Sequence, residues 1–221
     1  MDDTLGPIGT PVVPKFFHQL GILVLDGSGS MNGKAAMNST KAKEVNAAVM
    51  ELFNRMNVSR VKQNFSFACI KFDESATVSM PPTVFDFNQL MNENYDPTDG
   101  KGGGTQIFEA LDEAEIMANN FLTNAPADGV PHKALILLMS DGLCFHPSKS
   151  IEAATKLKSD PRVQIACAYF GTVGENDSDA QKVLKQISSD PSTYYTTVYD
   201  GEALRAFFER SISQSSGIKI E

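Results

Sequence analysis

"LVLDGSGSMNG", Leu23–Gly33, joins an apolar run to alternating glycine and serine, with one aspartate at the junction. The run reaches back to Leu20, and LGILVL shows no alternation of apolar and polar residues. Such a run, cut off by Gly27, fits a strand buried on both faces of a parallel sheet. Glycine-rich loops after strands cradle phosphates, present a nucleophile or seat a metal.

The same grammar repeats along the chain. Apolar stretches at Phe65–Phe72, Lys133–Met139, Val163–Phe170 and Tyr194–Tyr199 read as further strands. Helical spacing predicts helices around Val45–Met56, Ile107–Phe121, Ser148–Leu157, Ala180–Ile187 and Leu204–Ile212. Pro81 and Pro82 break an extended stretch, which suits an edge hairpin or loop. Strands alternating with helices predict an α/β domain with a doubly wound, mostly parallel sheet flanked by helices. We expect an arm over residues 1–15, one domain over 16–213 and a tail over 214–221. In such sheets ligands sit beyond the carboxyl ends of the strands. Asp26-Gly27 and Asp141-Gly142 both end apolar runs, so both point at one crevice.

Composition narrows the function classes. The 221-residue chain is 42% hydrophobic and 21% charged, which suits a globular domain. No run approaches the roughly 18 apolar residues of a membrane-spanning helix. The opening, with Asp2, Asp3 and three prolines, lacks the pattern of a secretory signal. A net charge of −8 argues against nucleic-acid binding, which needs a basic stripe. Cys69, Cys144 and Cys167 show no CxxC spacing and are odd in number, so reduced buried thiols and a cytoplasmic location are expected.

Counting residues sorts the chemistries of the glycine loop. The dinucleotide pattern GxGxxG needs a third glycine at Asn32, and Gly33 comes one place late. A phosphate-binding GxxxxGK[ST] loop would begin at Ser28, and Lys34 is followed by Ala35 instead of a hydroxyl. The nucleophile elbow GxSxG fails because Ser30 is flanked two places away by Ser28 and Asn32. An oxygen-lined metal site remains. Asp26, Ser28 and Ser30 lie two apart after a strand; Thr105 follows three glycines; Asp141 ends another strand. Two carboxylates and three hydroxyls form a hard-cation set: Mg²⁺ first, Mn²⁺ next, Ca²⁺ after them. Thr105 is also expected to cap the helix that follows it. Asp96 and Asp99 read as a solvated acidic loop rather than a second cation site.

DGSGS at Asp26, Ser28 and Ser30, GGGT ending at Thr105, and SDG at Asp141 together resemble the metal-ion-dependent adhesion site of von Willebrand factor A domains. Small stand-alone bacterial members near tellurite-resistance systems are the most similar in form. The resemblance implies direct metal contact by Ser28, Ser30 and Thr105. Asp26 and Asp141 would supply charge and orientation. It also implies a protein partner whose Asp or Glu completes the metal shell, and a C-terminal helix, near Gly201–Ile212, that moves when ligand binds. The chain is then a binding module and not an enzyme. Two other classes stay open. A haloacid-dehalogenase-like, Mg²⁺-dependent phosphatase also uses a strand-end aspartate, but its DxDx[TV] motif needs an acid where Ser28 stands. The third is a scaffold whose metal only holds loops together.

Overall fold

The computed structural model describes residues 16–35, 39–126, 129–174 and 177–219; the arm expected over 1–15 lies outside them. The described residues form one six-stranded sheet in the order β3-β2-β1-β4-β5-β6. At its centre β1 (His18–Asp26) pairs in parallel with β2 (Phe65–Phe72) and β4 (His132–Ser140). On the far side of β4, β5 (Val163–Phe170) and β6 (Tyr195–Val198) continue in parallel. The antiparallel strand is β3 (Ala76–Val84), at the edge beside β2. Pro81 and Pro82 lie in it, where a missing N–H costs least. The register with β2 also shifts on either side of Cys69.

Helices cover both faces, which is why the central strands carry no polar alternation. Leu23 and Leu25 of β1 pack in one core with Val45, Val49 and Leu52 of α1 (Lys41–Val58) and Phe207, Phe208 and Ile212 of α7 (Gly201–Ser216). Leu20, Ile22 and Val24 point the other way. They meet Ile107, Leu111 and Ala114 of α3 (Ile107–Thr123), in a core shared with α4 (Pro147–Lys158) and α5 (Ser178–Ile187). Each fully buried Leu, Ile or Phe contributes roughly 1.5–3 kcal/mol. Gly21 has a packing reason: a Cβ there would lie 2.7 Å from the Phe67 ring, which packs edge-on against Phe53.

Two short helices have no counterpart in the sequence reading, α2 (Phe87–Asn92) and α6 (Pro191–Tyr194). One turn or so is too short to show a period. Their starts are fixed by Asp86 and Asp190, whose side chains accept from Gln89 N–H and Ser192 N–H. The last helix runs past Ile212 to Ser216, and Gly217 ends it in the left-handed conformation at φ 75°. No helix among the described residues is long and apolar enough to cross a membrane.

The chain leaves β1 for β2 on one side and reaches β4 on the other. The order therefore reverses at β1, and a crevice opens above the carboxyl ends of β1 and β4.

Candidate metal centre

Asp26 is the last residue of β1 and fully buried. One carboxylate oxygen accepts from Ser28 N–H at 2.8 Å, and the other accepts from the Ser140 hydroxyl at 2.5 Å. Burial pushes its pKa up to about 7 against the pull of these hydrogen bonds, and the charge of Asp141 adds to the rise. A buried carboxylate in that condition gains from any nearby cation.

From Asp26 the polar chain runs outward. The hydroxyls of Ser28 and Ser30 are 3.1 Å apart. Ser30 donates to Asp141 Oδ1 at 2.6 Å, and Lys41 Nζ donates to Asp141 Oδ2 at 2.7 Å. Ser28 and Asp141 are buried, whereas Ser30 is exposed, so the group has a closed floor and an open rim. Thr105 reaches the same place from the glycine loop. A Cβ on Gly142 would lie 3.3 Å from Thr105 Oγ1 and 3.7 Å from Ser30 Oγ; glycine leaves that space clear. Asp26, Ser28, Ser30, Thr105 and Asp141 thus converge from three loops at one end of the sheet.

One expectation about Thr105 is corrected. It does not cap the helix: α3 begins at Ile107, its N-cap is Gln106, and no side chain bonds the first turn. The Thr105 carbonyl instead accepts from Phe145 N–H at 3.0 Å, which ties the backbone to the loop after β4. Its hydroxyl has no hydrogen-bond partner among the described residues, although the residue is only 5% exposed. A hydroxyl set near Ser30 Oγ, with Gly142 leaving the space beside both clear, fits the donor set of a hard cation. Among the described residues no cluster of three His, Cys, Asp or Glu could hold a metal. Any cation held here depends on hydroxyls.

Three residues of the site were not singled out in the sequence. Ser140 anchors Asp26, and Lys41 anchors Asp141. The third is Asp73, directly after β2, which accepts from the backbone N–H groups of Gly102 and Gly103 at 3.2 Å each and from Lys101 Nζ at 3.3 Å. Burial alone would raise its pKa, but these bonds and that of Ser75 N–H outweigh it and hold the carboxyl below its usual range. Gly29 N–H in turn donates to Gly103 O at 3.0 Å, locking the glycine loop to the first loop. The available signal was position: like Asp26, Asp73 stands where an apolar strand stops. Asp96 and Asp99 serve the turn. Asp96 accepts from Thr98 N–H and its hydroxyl, and Asp99 accepts from Asn94 Nδ2. Cys144 is buried with its sulfur 3.1 Å from the Ser150 hydroxyl, and His146 packs edge-on against Phe108; they do not pair.

The von Willebrand factor type A domain matches residues 22–210, the whole span from β1 into α7. The chain belongs to that family. Solved structures with the same fold include the type V pilus tip protein Mfa5 of Porphyromonas gingivalis, whose von Willebrand domain is 13% identical. That alignment covers 92% of this chain and 97% of the other, with a TM-score of 0.68. BatB of Bacteroides thetaiotaomicron is 17% identical over 90% of this chain and 98% of its own, with a TM-score of 0.61. Proximal thread matrix protein 1 of the mussel byssus is 18% identical over 92% of this chain and 47% of its own, with a TM-score of 0.62. That structure carries zinc in its adhesion-site motif. At these identities the likeness is one of fold. No curated protein matches the sequence. The family match and these neighbours together establish a von Willebrand factor A domain with the fold of that family.

Proposed function

We propose that this domain binds a protein partner through a divalent cation, Mg²⁺ in the first place, with an Asp or Glu of the partner completing the metal's shell. The carrying observation is the convergence of Ser28, Ser30 and Thr105 hydroxyls with the Asp26 and Asp141 carboxylates beneath an open rim. Ser28, Ser30 and Thr105 would hold the cation. Asp26 and Asp141 supply charge, and Ser140 and Lys41 hold them in place. When bound, the cation supplies an electrophilic position for an anionic ligand. Hydroxyls neutralise little of its charge and Lys41 offsets one of the two carboxylates, so the loaded site carries net positive charge and attracts a carboxylate.

The hydrolase reading gains nothing from the geometry. Asp26, its would-be nucleophile, is fully buried with both oxygens engaged, and Ser28 cannot shuttle a proton as an acid would. We read the domain as a binding module and not an enzyme. The three unpaired, buried thiols favour a cytoplasmic home.

The test is affinity purification from the native host with Mg²⁺ and with EDTA, paired with calorimetric titration of Mg²⁺ and Mn²⁺ into the purified chain. A partner retained only with Mg²⁺ supports the reading. Phosphatase turnover abolished by Asp26→Ala would replace it with the enzyme. A metal that stabilises the fold while association persists in EDTA would make it a scaffold.

A further inference from the structure

Lys41 is the first residue of the 18-residue helix α1, where the helix dipole least favours a cation. It is nonetheless 7% exposed, with its ammonium 2.7 Å from Asp141 Oδ2. Asp141 is its only ion-pair partner among the described residues. The other oxygen of Asp141 accepts from Ser30, so both oxygens are engaged by the chain's own groups. A helix start carrying a buried lysine in place of an acid or a small polar residue is a local cost, and the ion pair with Asp141 offsets it.

We infer that Lys41 is a built-in counter-cation of the metal centre. It holds Asp141 aimed at Ser30 when no metal is bound. It also competes with the incoming dication, setting affinity below what the oxygen groups alone would give. The inference rests on the metal reading above. An unpaired buried carboxylate is costly, so without Lys41 the metal-free site would lose stability. With a dication on the Ser30 side of Asp141, the ammonium on the other side becomes a like charge a few ångströms away, and the two repel. Removing the lysine charge therefore has effects of opposite sign on the empty and the loaded protein. An ion pair with a purely structural role would show only the first.

The experiment uses the full chain with Lys41→Met and Lys41→Arg. Thermal unfolding is measured in EDTA, and Mg²⁺ and Mn²⁺ are titrated by calorimetry. Lys41→Met is expected to lower the melting temperature in EDTA while tightening Mg²⁺ binding about tenfold or more. Lys41→Arg should follow the wild type in both. If Lys41→Met does not fold, Lys41→Gln, which keeps a donor without charge, carries the same expectation. Binding of Mg²⁺ by the neutral variant alone would be the competition in its strongest form. Mg²⁺ affinity unchanged or weakened in the folded neutral variant overturns the inference. No uptake by any variant overturns the metal reading and this inference with it.

Discussion

The two ends of β1 and β4 handle buried polarity in opposite ways. At the carboxyl end Asp26, Ser28, Ser30, Ser140, Asp141 and Lys41 bond to one another in a continuous chain. At the amino end Gln19 and Lys133 sit side by side in register, with Lys133 Nζ donating to Ser215 O in α7. There both side-chain polar atoms of Gln19, Nε2 of His132 and the Ser215 hydroxyl are buried with no hydrogen-bond partner among the described residues. Buried polar groups cost free energy unless they are satisfied. The carboxyl end joins its polar groups into the hydroxyl and carboxylate cluster proposed to hold the cation. The amino end carries polarity that no described residue satisfies. The same two strands thus separate a bonded polar end from one that the described residues leave unbonded.

That separation can be broken in several ways. The largest effect is expected from Asp26→Asn, which removes the charge at the same size; its carbonyl can still accept from Ser28 N–H, while its amide would donate to Ser140, reversing that bond. Mg²⁺ affinity should fall about 100-fold by calorimetry with the fold intact; an unchanged affinity would remove Asp26 from the metal centre. Next, Mg²⁺ at a hundred times its dissociation constant should stabilise the wild type by about 2.7 kcal/mol. For a domain of this size that is a rise of roughly 5–10 °C in melting temperature, reversed by EDTA. At the other end, Gln19→Met should stabilise the protein by about 1 kcal/mol in denaturant unfolding, because two unsatisfied atoms are replaced by apolar ones of similar volume. Mg²⁺ affinity should not change. A loss of stability would mean that Gln19 is satisfied by ordered water. The smallest effect concerns Asp73. Its pKa is lowered in the fold, so its bonds to the glycine loop persist at and above the ordinary carboxylate value of 3.8 and are lost only as pH falls below it. The amide resonances of Gly102 and Gly103 should hold steady down to that value and move beneath it. In Asp73→Asn they should be displaced at neutral pH.

The sequence was most legible where burial is complete. β1, β2, β4 and β5 read as mainly apolar stretches without polar alternation because helices cover both of their faces. The convergence of Asp26, Ser28, Ser30 and Asp141 was legible too, because alternate residues after a strand can aim one way and the strand ends share one edge. What stayed hidden depends on contacts far apart in the chain. Lys41 meets Asp141 across 100 positions and Ser140 meets Asp26 across 114. A lysine opening a helix announces no partner. Thr105 misled as a cap because Gln106 intervenes before the first helical turn, a one-residue offset that composition cannot reveal.

The edges of the sheet bear on how a partner can approach. A bare strand edge lets another chain extend a sheet by backbone pairing, whatever the side chains. Here the β3 edge has lost two donors to Pro81 and Pro82, and its spacing is interrupted around Cys69 of β2. The opposite edge, β6, is four residues long. Both edges are therefore poor templates for another strand. On the proposed reading, recognition falls to side chains on the carboxyl rim, where each contact can be made or broken without disturbing the backbone beneath it.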